Sequence, residues 1–328
     1  MARETGKTNK AGKAKGGIIG KVAGLFGGGA KEEAPPPPPP PPKLTTEELS
    51  VGLADPDEGK IWPAKRLNVA EKLWGEGYLT PGGAEQVKKL LPLLALDKKK
   101  SLLLLGAGLG GINETMVEDT GVWVTGLERS PELATLGFES MKRANLKKQA
   151  PIHHSTMETM ELKPKSFDVV LSFEGIFAVQ DKKTLFTTLC DSLRVDGELM
   201  FTDLVLPDTN PPGDKVKAWI AREPIESTPN PWPADAMQGF LGSLNFDARP
   251  YDDITAEYKK WVMSGFMRFM SAMSKTEMKE MAQELMTELE YWTTRIAAID
   301  AGQLKVCRFH AIRLPDQKKR KAVDELMG

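Results

Sequence analysis

The glycine-rich segment after the most apolar run of the chain limits the possible folds more than any other feature. Leu102–Leu105 reads as a buried strand, and Gly106, Gly108 and Gly111 follow it in the spacing Gly-x-Gly-x-x-Gly. Glycines in this spacing let a ligand approach the backbone at the N-terminus of the next helix, which the pattern predicts over residues 111–119. The motif is weak alone, and its meaning depends on the elements around it.

Strand and helix signals alternate along the middle of the chain. The predicted strands cover residues 101–106, 122–127, 150–154, 168–173 and 198–203, and the predicted helices cover 111–119, 131–146 and 182–194. Several of the strands are apolar throughout, as expected for strands covered on both faces. The alternation predicts an α/β fold with a parallel sheet and right-handed crossovers. A proline-rich stretch follows residue 203, then a long helical segment (roughly 253–299) and an apolar strand at 304–314.

The second predicted strand ends at Glu128, 22 residues after Gly106. A carboxylate at this position accepts hydrogen bonds from the ribose hydroxyls of an adenosine-containing cofactor. The alternative is an acidic residue at the surface end of a strand, without a ligand. With the glycine loop, Glu128 predicts a cofactor site at the carboxyl edge of the sheet.

Composition excludes several classes of function. The net charge of −1 gives no general attraction to nucleic acid, so we predict no nucleic-acid partner. Two cysteines and three histidines form no cluster with metal-ligand spacing, so we predict no metal site. No apolar run approaches the ~20 residues of a membrane span, and we predict a cytoplasmic protein.

The first 43 residues differ in composition from the rest. Residues 1–31 contain seven basic residues and one acidic residue, and Pro35–Pro42 form a stiff polyproline spacer. One interpretation is a disordered, solvated tail. The other is a peripheral contact with an anionic membrane or a partner protein, because Ile18, Val22 and Leu25 share a helical face beside lysines.

The composition changes also predict the domain organisation. A basic and poly-proline tail (1–43) precedes a helical lid (44–97) and a Rossmann-like cofactor-binding core (98–205). A helical insertion with the final strand (206–314) and a basic C-terminal tail (315–328) complete the chain.

This layout resembles the class I S-adenosylmethionine-dependent methyltransferases, whose seven-stranded sheet ends with an antiparallel strand. Ala70–Gly83, with the sequence AEKLWGEGYLTPGG, is similar to the preface of phosphoethanolamine N-methyltransferases and of related small-amine methyltransferases. The resemblance implies a Rossmann-like seven-stranded fold with a helical N-terminal lid and a helical C-terminal insertion. It also implies S-adenosylmethionine as cofactor and methyl transfer to a small polar or amine acceptor, such as a phosphoethanolamine-like molecule.

The resemblance also implies roles for individual residues. The glycine loop would hold the methionine end of the cofactor, Glu128 with Arg129 beside it the ribose, Met157 the adenine, and Thr80 would contact the cofactor from the lid. The implied cofactor-binding residues are therefore Thr80, Gly106, Ala107, Gly108, Gly111, Glu128, Arg129 and Met157. Glu174, after the fourth strand, would face the transferred methyl group and the acceptor. The Tyr and His that act as a catalytic pair in phosphoethanolamine enzymes are replaced by Trp62 and Ala178, which makes Trp62 the second candidate catalytic residue.

Other interpretations stay open at this point. The chain could be a non-catalytic cofactor-binding or regulatory protein that has kept the fold, or a nucleotide-dependent oxidoreductase. Methionines at near-helical spacing between Met263 and Met286 predict core or lid packing, with a pliable substrate wall as the alternative. Five aromatic residues predict lid packing or an aromatic box for an ammonium group: Trp62, Trp74, Tyr78, Trp232 and Trp261.

Overall fold

A computed structural model describes residues 59–315 of the protein. The predicted N-terminal tail, the first part of the predicted lid and all but the first residue of the predicted C-terminal tail lie outside this range. The prediction of a membrane or partner contact by the basic arm therefore concerns residues that are not described. The predicted domain boundaries stay a prediction.

A mixed sheet forms the centre of the described region. Its strands are β1 (Ser101–Leu105), β2 (Trp123–Glu128), β3 (Ile152–His154), β4 (Phe167–Phe173), β5 (Leu193–Val205), β6 (Phe246–Ala248), β7 (Asp252–Asp253) and β8 (Lys305–Arg313). The order is β3-β2-β1-β4-β5-β8-β6, and β7 pairs with the same edge of β8 as β6 does. Strands β1 to β5 are parallel and β8 is antiparallel to β5. The sheet is therefore seven strands wide, which confirms the predicted Rossmann-like fold and its antiparallel final strand.

Helices join and cover the strands. They are α1 (Ala64–Trp74), α2 (Gly83–Leu90), α3 (Gly111–Thr120), α4 (Pro131–Arg143), α5 (Lys182–Ser192), α6 (Asp214–Ile220), α7 (Ala234–Ser243), α8 (Thr255–Ala272), α9 (Lys275–Glu280) and α10 (Ala282–Asp300). Short 3-10 turns lie at Leu91–Leu93 and Ile176–Ala178. Within residues 59–315, every helix is too short or too polar to cross a membrane.

The sheet is covered on both faces, as the apolar strands predict. Leu102 and Leu104 of β1 belong to one buried hydrophobic cluster, and Leu103 and Leu105 belong to a second. Successive side chains of a strand point to opposite faces, so a fully buried run of leucines requires packing on both sides.

The region after β5 differs most from the sequence prediction. The long helical segment predicted at 253–299 is divided into α8, α9 and α10. Ser274 and Glu277 form a capping box, in which each side chain accepts a hydrogen bond from the other's backbone N–H at 3.2 and 3.0 Å, and this starts a new helix. The proline-rich stretch before it contains α6, α7 and β6, which the sequence pattern did not indicate.

The methionines of this region do not all pack as predicted. Met273 and Met281 are buried, in agreement with core packing. The prediction is wrong for a second group, which lies exposed on the outer faces of α8 and α10: Met263, Met267, Met270 and Met286.

Helix α1 packs against both α8 and α10. The Trp74 ring lies edge-on to the Trp292 ring, with 5.0 Å between centroids. At Gly265 a Cβ atom would lie 2.4 Å from Trp74 Cζ3, so only glycine permits this close approach of α8 to α1. This packing brings residues of α1 and α10 to the carboxyl ends of β1, β2 and β4, where the candidate site lies.

Candidate active site

The glycine loop turns sharply at the end of β1. Gly106 and Gly108 both have positive φ, at 76° and 54°. The backbone N–H groups of Gly106 and Ala107 donate to the Leu127 carbonyl at 2.8 and 3.1 Å, which fixes the loop against the end of β2. No atom lies within 4 Å of a Cβ placed on Gly106, so the loop faces open space. A ligand can therefore contact this backbone directly.

Glu128 lies at the end of β2 with its carboxylate turned to the glycine loop. Its Oε2 accepts a hydrogen bond from Gly108 N at 2.8 Å, and its Oε1 accepts one from Ser130 N at 2.9 Å. Burial raises the pKa of Glu128, and the backbone N–H donors oppose that rise. Each carboxylate oxygen has capacity for a further donor, as ribose recognition requires.

The segment between α1 and α2 closes over the start of α3. Gly111 N donates to the Gly77 carbonyl at 3.0 Å, and the Tyr78 hydroxyl donates to the Gly111 carbonyl at 2.9 Å. A Cβ on Gly111 would lie 2.8 Å from Gly77 O, so glycine is needed here for packing. Thr80, two residues after Tyr78, lies on the cavity wall.

Glu174 follows β4 in the left-handed backbone region, with a φ of 50°. Its side chain is buried, and its Oε2 accepts hydrogen bonds from the Tyr258 hydroxyl and from Arg295 Nη1, both at 2.8 Å. Its Oε1 is buried and has no hydrogen-bond partner within the described residues. Burial raises the pKa of Glu174, and the Arg295 charge acts against this. An unpaired buried acceptor of this kind is costly, and a ligand N–H or O–H would satisfy it.

Arg295 on α10 joins Glu174 to a second carboxylate. Its Nη2 donates to Glu223 Oε1 at 2.8 Å, and the same oxygen accepts a hydrogen bond from the Tyr291 hydroxyl at 3.0 Å. The guanidinium carbon also lies 4.9 and 4.7 Å from the ring centroids of Tyr291 and Trp292. Two carboxylates and two aromatic rings therefore enclose this one cation.

A second ion pair lines the wall between α1 and α10. Arg66 Nε donates to Glu288 Oε1, and Trp292 Nε1 donates to Glu288 Oε2 at 3.0 Å. The Arg66 guanidinium lies 4.1 Å from the centroid of the Trp62 ring. An indole has a donor N–H and no basic atom, so Trp62 cannot act as a proton acceptor.

Two buried ionisable side chains, Asp203 and Lys182, hydrogen-bond to the backbone of the 3-10 turn after Glu174 and of neighbouring residues. Asp203 Oδ1 accepts from Phe177 N at 3.0 Å, and Lys182 Nζ donates to the Val179 and Asn230 carbonyls, both at 2.6 Å. Burial raises the pKa of Asp203 to about 7 and lowers that of Lys182 to about 8. These contacts fix the turn that carries Phe177 into the cavity wall.

One cavity of about 200 Å³ connects all of these groups. Seven of the predicted residues line it: Trp62, Thr80, Gly106, Ala107, Gly108, Glu128 and, at the opposite end, Glu174. Its charged lining consists of four acids and two arginines: Glu128, Glu174, Glu223, Glu288, Arg66 and Arg295. The geometry thus brings the predicted ribose carboxylate and the predicted acceptor carboxylate into one cavity.

Three predicted cofactor-binding residues do not line this cavity, and neither does Ala178, which replaces the catalytic His of phosphoethanolamine enzymes. Gly111 packs beneath Gly77, as described above. Arg129 Nη2 donates to both Glu158 oxygens at 2.8 and 2.9 Å, and its Nη1 donates to Ser227 Oγ at 3.0 Å. Met157 packs against the hydrophobic cluster on the other face of the sheet, and Ala178 is buried in the 3-10 turn. The cofactor roles of Gly111, Arg129 and Met157 stay predictions.

Sequence reasoning missed the contribution of α10. Four of its residues line the cavity at spacings of three and four: Glu288, Tyr291, Trp292 and Arg295. A charged and aromatic face on one helix was the available signal, because such spacing places side chains on one side of a helix. Of the five aromatic residues singled out above, Trp62, Trp74 and Tyr78 line the cavity, while Trp232 and Trp261 do not. Among residues 59–315, no group of His, Cys, Asp and Glu side chains could hold a metal ion.

The family of the chain follows from this site together with a family comparison. A family model described as a methyltransferase domain matches residues 103–201, which run from β1 through the glycine loop to β5. Residues 103–201 form a class I methyltransferase domain. The resemblance inferred from the preface and the glycine loop is thus confirmed at the level of the class.

The similarity to individual relatives is low and covers only part of each protein. Phosphoethanolamine N-methyltransferase 3 of Arabidopsis thaliana is 28% identical over 144 residues, which cover 44% of this chain and 29% of that protein. The chain therefore matches less than a third of that relative's length.

Solved structures agree on the fold. Phosphoethanolamine N-methyltransferase 2 of Haemonchus contortus, in complex with S-adenosyl-L-methionine, aligns with a TM-score of 0.65 and 17% identity, over 76% of this chain and 57% of that one. The cyclase SpnF aligns with a TM-score of 0.61 and 11% identity, over 77% of this chain and 98% of that one. At these identities the likeness concerns the fold alone, and one of the two proteins is described as a cyclase.

Proposed function

We propose that the protein transfers a methyl group from S-adenosylmethionine to a small polar acceptor. The observation that carries the proposal is the single cavity that joins the glycine loop and Glu128 to the Glu174 carboxylate. The first two groups suit the methionine and ribose parts of the cofactor, and we assign Glu174, at the other end of the cavity, to the acceptor.

The residues present fit the cofactor. The open space at Gly106 admits a ligand against the backbone, and the Glu128 carboxylate suits a pair of ribose hydroxyls. When bound, S-adenosylmethionine supplies an electrophilic methyl group on its sulfonium sulfur. Thr80 and the neighbouring lid residues would contact the cofactor from the lid side of the cavity.

Glu174 would orient the acceptor. Its partnerless Oε1 would accept a hydrogen bond from the N–H or O–H of the nucleophilic group and take up the proton that this group loses on methylation. Because Arg295 already shares Oε2, the carboxylate is held in one orientation, and a fixed nucleophile gains rate from proximity. A strong base is not required for this role.

The similarity to phosphoethanolamine N-methyltransferases suggests a phosphoethanolamine-like acceptor as a finer form of the proposal, whereas the carboxylate pairing of both cavity arginines argues against a phosphorylated one. Trp62 and Ala178, at the positions of the catalytic Tyr and His of those enzymes, cannot take up a proton. We therefore propose an acceptor that is activated by Glu174 instead.

Calorimetric titration tests the cofactor part of the proposal. We expect the protein to bind S-adenosylmethionine and S-adenosylhomocysteine and not NAD. Glu128→Ala should weaken both affinities by about 1.5–3 kcal/mol, the contribution of hydrogen bonds to a charged group. Binding of NAD alone would favour an oxidoreductase, and an unchanged affinity in Glu128→Ala would contradict the ribose assignment.

Detection of methylated product tests the transfer itself. The protein is incubated with S-adenosylmethionine labelled on its methyl group and with pooled small polar compounds, and labelled products are found by mass spectrometry. Cofactor binding without any product would favour the alternative, a cofactor-binding protein that has kept the fold.

A further inference from the structure

The acceptor end of the cavity contains a cation-binding arrangement that is filled by the protein itself. Arg295 is 3% exposed, and its guanidinium group lies between the Glu174 and Glu223 carboxylates at 2.8 Å from each. The rings of Tyr291, Trp292 and Phe177 lie 4.9, 4.7 and 6.0 Å from the guanidinium carbon.

Carboxylates and aromatic faces in this combination are what a protein uses to hold an ammonium ligand. Aromatic rings attract a cation through their quadrupole, and quaternary ammonium groups are recognised by such cages. We call the set of Glu174, Glu223, Phe177, Tyr291 and Trp292 the cation box. All five residues line the candidate active-site cavity.

We propose that Arg295 is a built-in occupant of the cation box and a specificity-determining residue of the acceptor site. With the box filled, the acceptor is a small molecule without a permanent positive charge. This inference rests on the proposed function only in treating the small molecule that binds here as a methyl acceptor. The exclusion of cations from the box depends on Arg295 alone.

Charge balance gives the same answer for phosphorylated amines. Arg295 is shared by two carboxylates, and Arg66, the other cavity-lining arginine, is paired with the buried Glu288. Neither guanidinium is free of a carboxylate, so a phosphate dianion here would compete with an existing buried ion pair. Disrupting such a pair leaves a charge uncompensated, which is strongly unfavourable.

Two atoms indicate the acceptor class that remains. Glu174 Oε1 and Arg295 Nε are buried and have no hydrogen-bond partner in the described part of the chain. One accepts and the other donates. A hydroxyl or an amine with an N–H can both donate and accept a hydrogen bond and so suits either atom, whereas a quaternary ammonium suits neither.

Thermal unfolding of the full-length protein tests the proposal without requiring any turnover. Melting temperatures are measured with tetramethylammonium or choline against sodium chloride at equal ionic strength, with and without S-adenosylhomocysteine. The wild-type protein should show no stabilisation beyond that of sodium chloride. Arg295→Met, which removes the cation but keeps most of the volume, should melt lower and be stabilised by tetramethylammonium in a saturable manner.

Two control variants separate the box from general effects. Arg222→Met removes an exposed arginine that follows α6 and pairs with Glu290, which lies on α10 as Arg295 does. This variant should respond as the wild type does. Arg295→Lys keeps a cation in the box, so it should also show no binding. If Arg295→Met does not fold, Arg295→Gln takes its place, because it also removes the cation but can still donate hydrogen bonds to the carboxylates, and it too should gain saturable binding.

The outcomes distinguish the proposals. Apparent affinity for tetramethylammonium should be roughly tenfold or more higher in Arg295→Met than in the wild type. Saturable binding to the wild type or to Arg295→Lys would overturn the inference, and so would a folded Arg295→Met that binds no ammonium ion. If the chain fails to bind S-adenosylmethionine, the proposed function fails while this result stands.

Discussion

The two ends of the cavity differ in the groups that form their contacts: backbone N–H groups at one end and charged side chains at the other. At the glycine loop, the contacts to Glu128 come from backbone N–H groups, and the loop itself has no charged side chain. At the other end, buried side-chain charges from the Glu174 loop, the Glu223 segment and α10 contact one another. The difference teaches that cofactor recognition here depends on backbone geometry, whereas acceptor choice depends on how a few ions are paired. The predictions below test that division.

The largest expected effect is the loss of cofactor binding in Gly108→Val. At a φ of 54°, a β-branched residue carries a strain of about 1–3 kcal/mol, and its side chain would enter the cofactor's space. Titration should detect no binding while the far-UV circular dichroism spectrum is unchanged. Gly239→Val in α7, where a Cβ meets nothing within 4 Å, is the matched control and should bind normally.

A smaller effect is expected for Glu174→Gln, and on a different quantity. Turnover should fall by about 2.7–4 kcal/mol of barrier, as for other preorganised polar groups at reacting centres. Affinity for S-adenosylhomocysteine should stay within a few-fold, because Glu174 belongs to the other end of the cavity. Glu280→Gln, an exposed change on α9, should alter neither quantity. Equal losses of affinity and turnover in Glu174→Gln would contradict the division of the cavity.

Arg129→Ala separates the ribose carboxylate from the residue beside it. Because Arg129 is bound to Glu158 and Ser227 outside the cavity, its removal should cost cofactor affinity at most about 0.5 kcal/mol, in the range of surface ion pairs. A loss as large as that of Glu128→Ala, measured in the same titration, would return Arg129 to the cofactor site.

The smallest effect near neutral pH is the pH dependence of cofactor affinity. The Glu128 carboxylate must be ionised to accept both ribose hydroxyls, so affinity is full above its pKa and falls below it. Since burial raises this pKa, the loss should begin at a higher pH than for an exposed glutamate. Titrations from pH 7 downwards should show the decline in the wild type and its absence in Glu128→Gln.

The same division explains what the sequence could predict. Gly108 and Glu128 are 20 residues apart and lie at the ends of adjacent strands, so spacing alone brought them together. Arg295 and Glu174 are 121 residues apart, and Arg66 and Glu288 are 222 apart. No local pattern encodes such pairs, because they depend on how α10 packs against α1 and the sheet. The break of the 253–299 segment was readable in principle from Ser274 and Glu277, whereas the three-residue strand β6 has too few residues for a periodicity.

The size of the cavity has a kinetic consequence. At about 200 Å³ it is smaller than the roughly 300–1,000 Å³ of pockets that hold a ligand, and here two ligands must fit. We therefore expect the Gly77–Tyr78 segment, which is hydrogen-bonded to Gly111, to loosen when a ligand enters or leaves. We expect this opening, and not the methyl transfer, to limit the rate of the catalytic cycle.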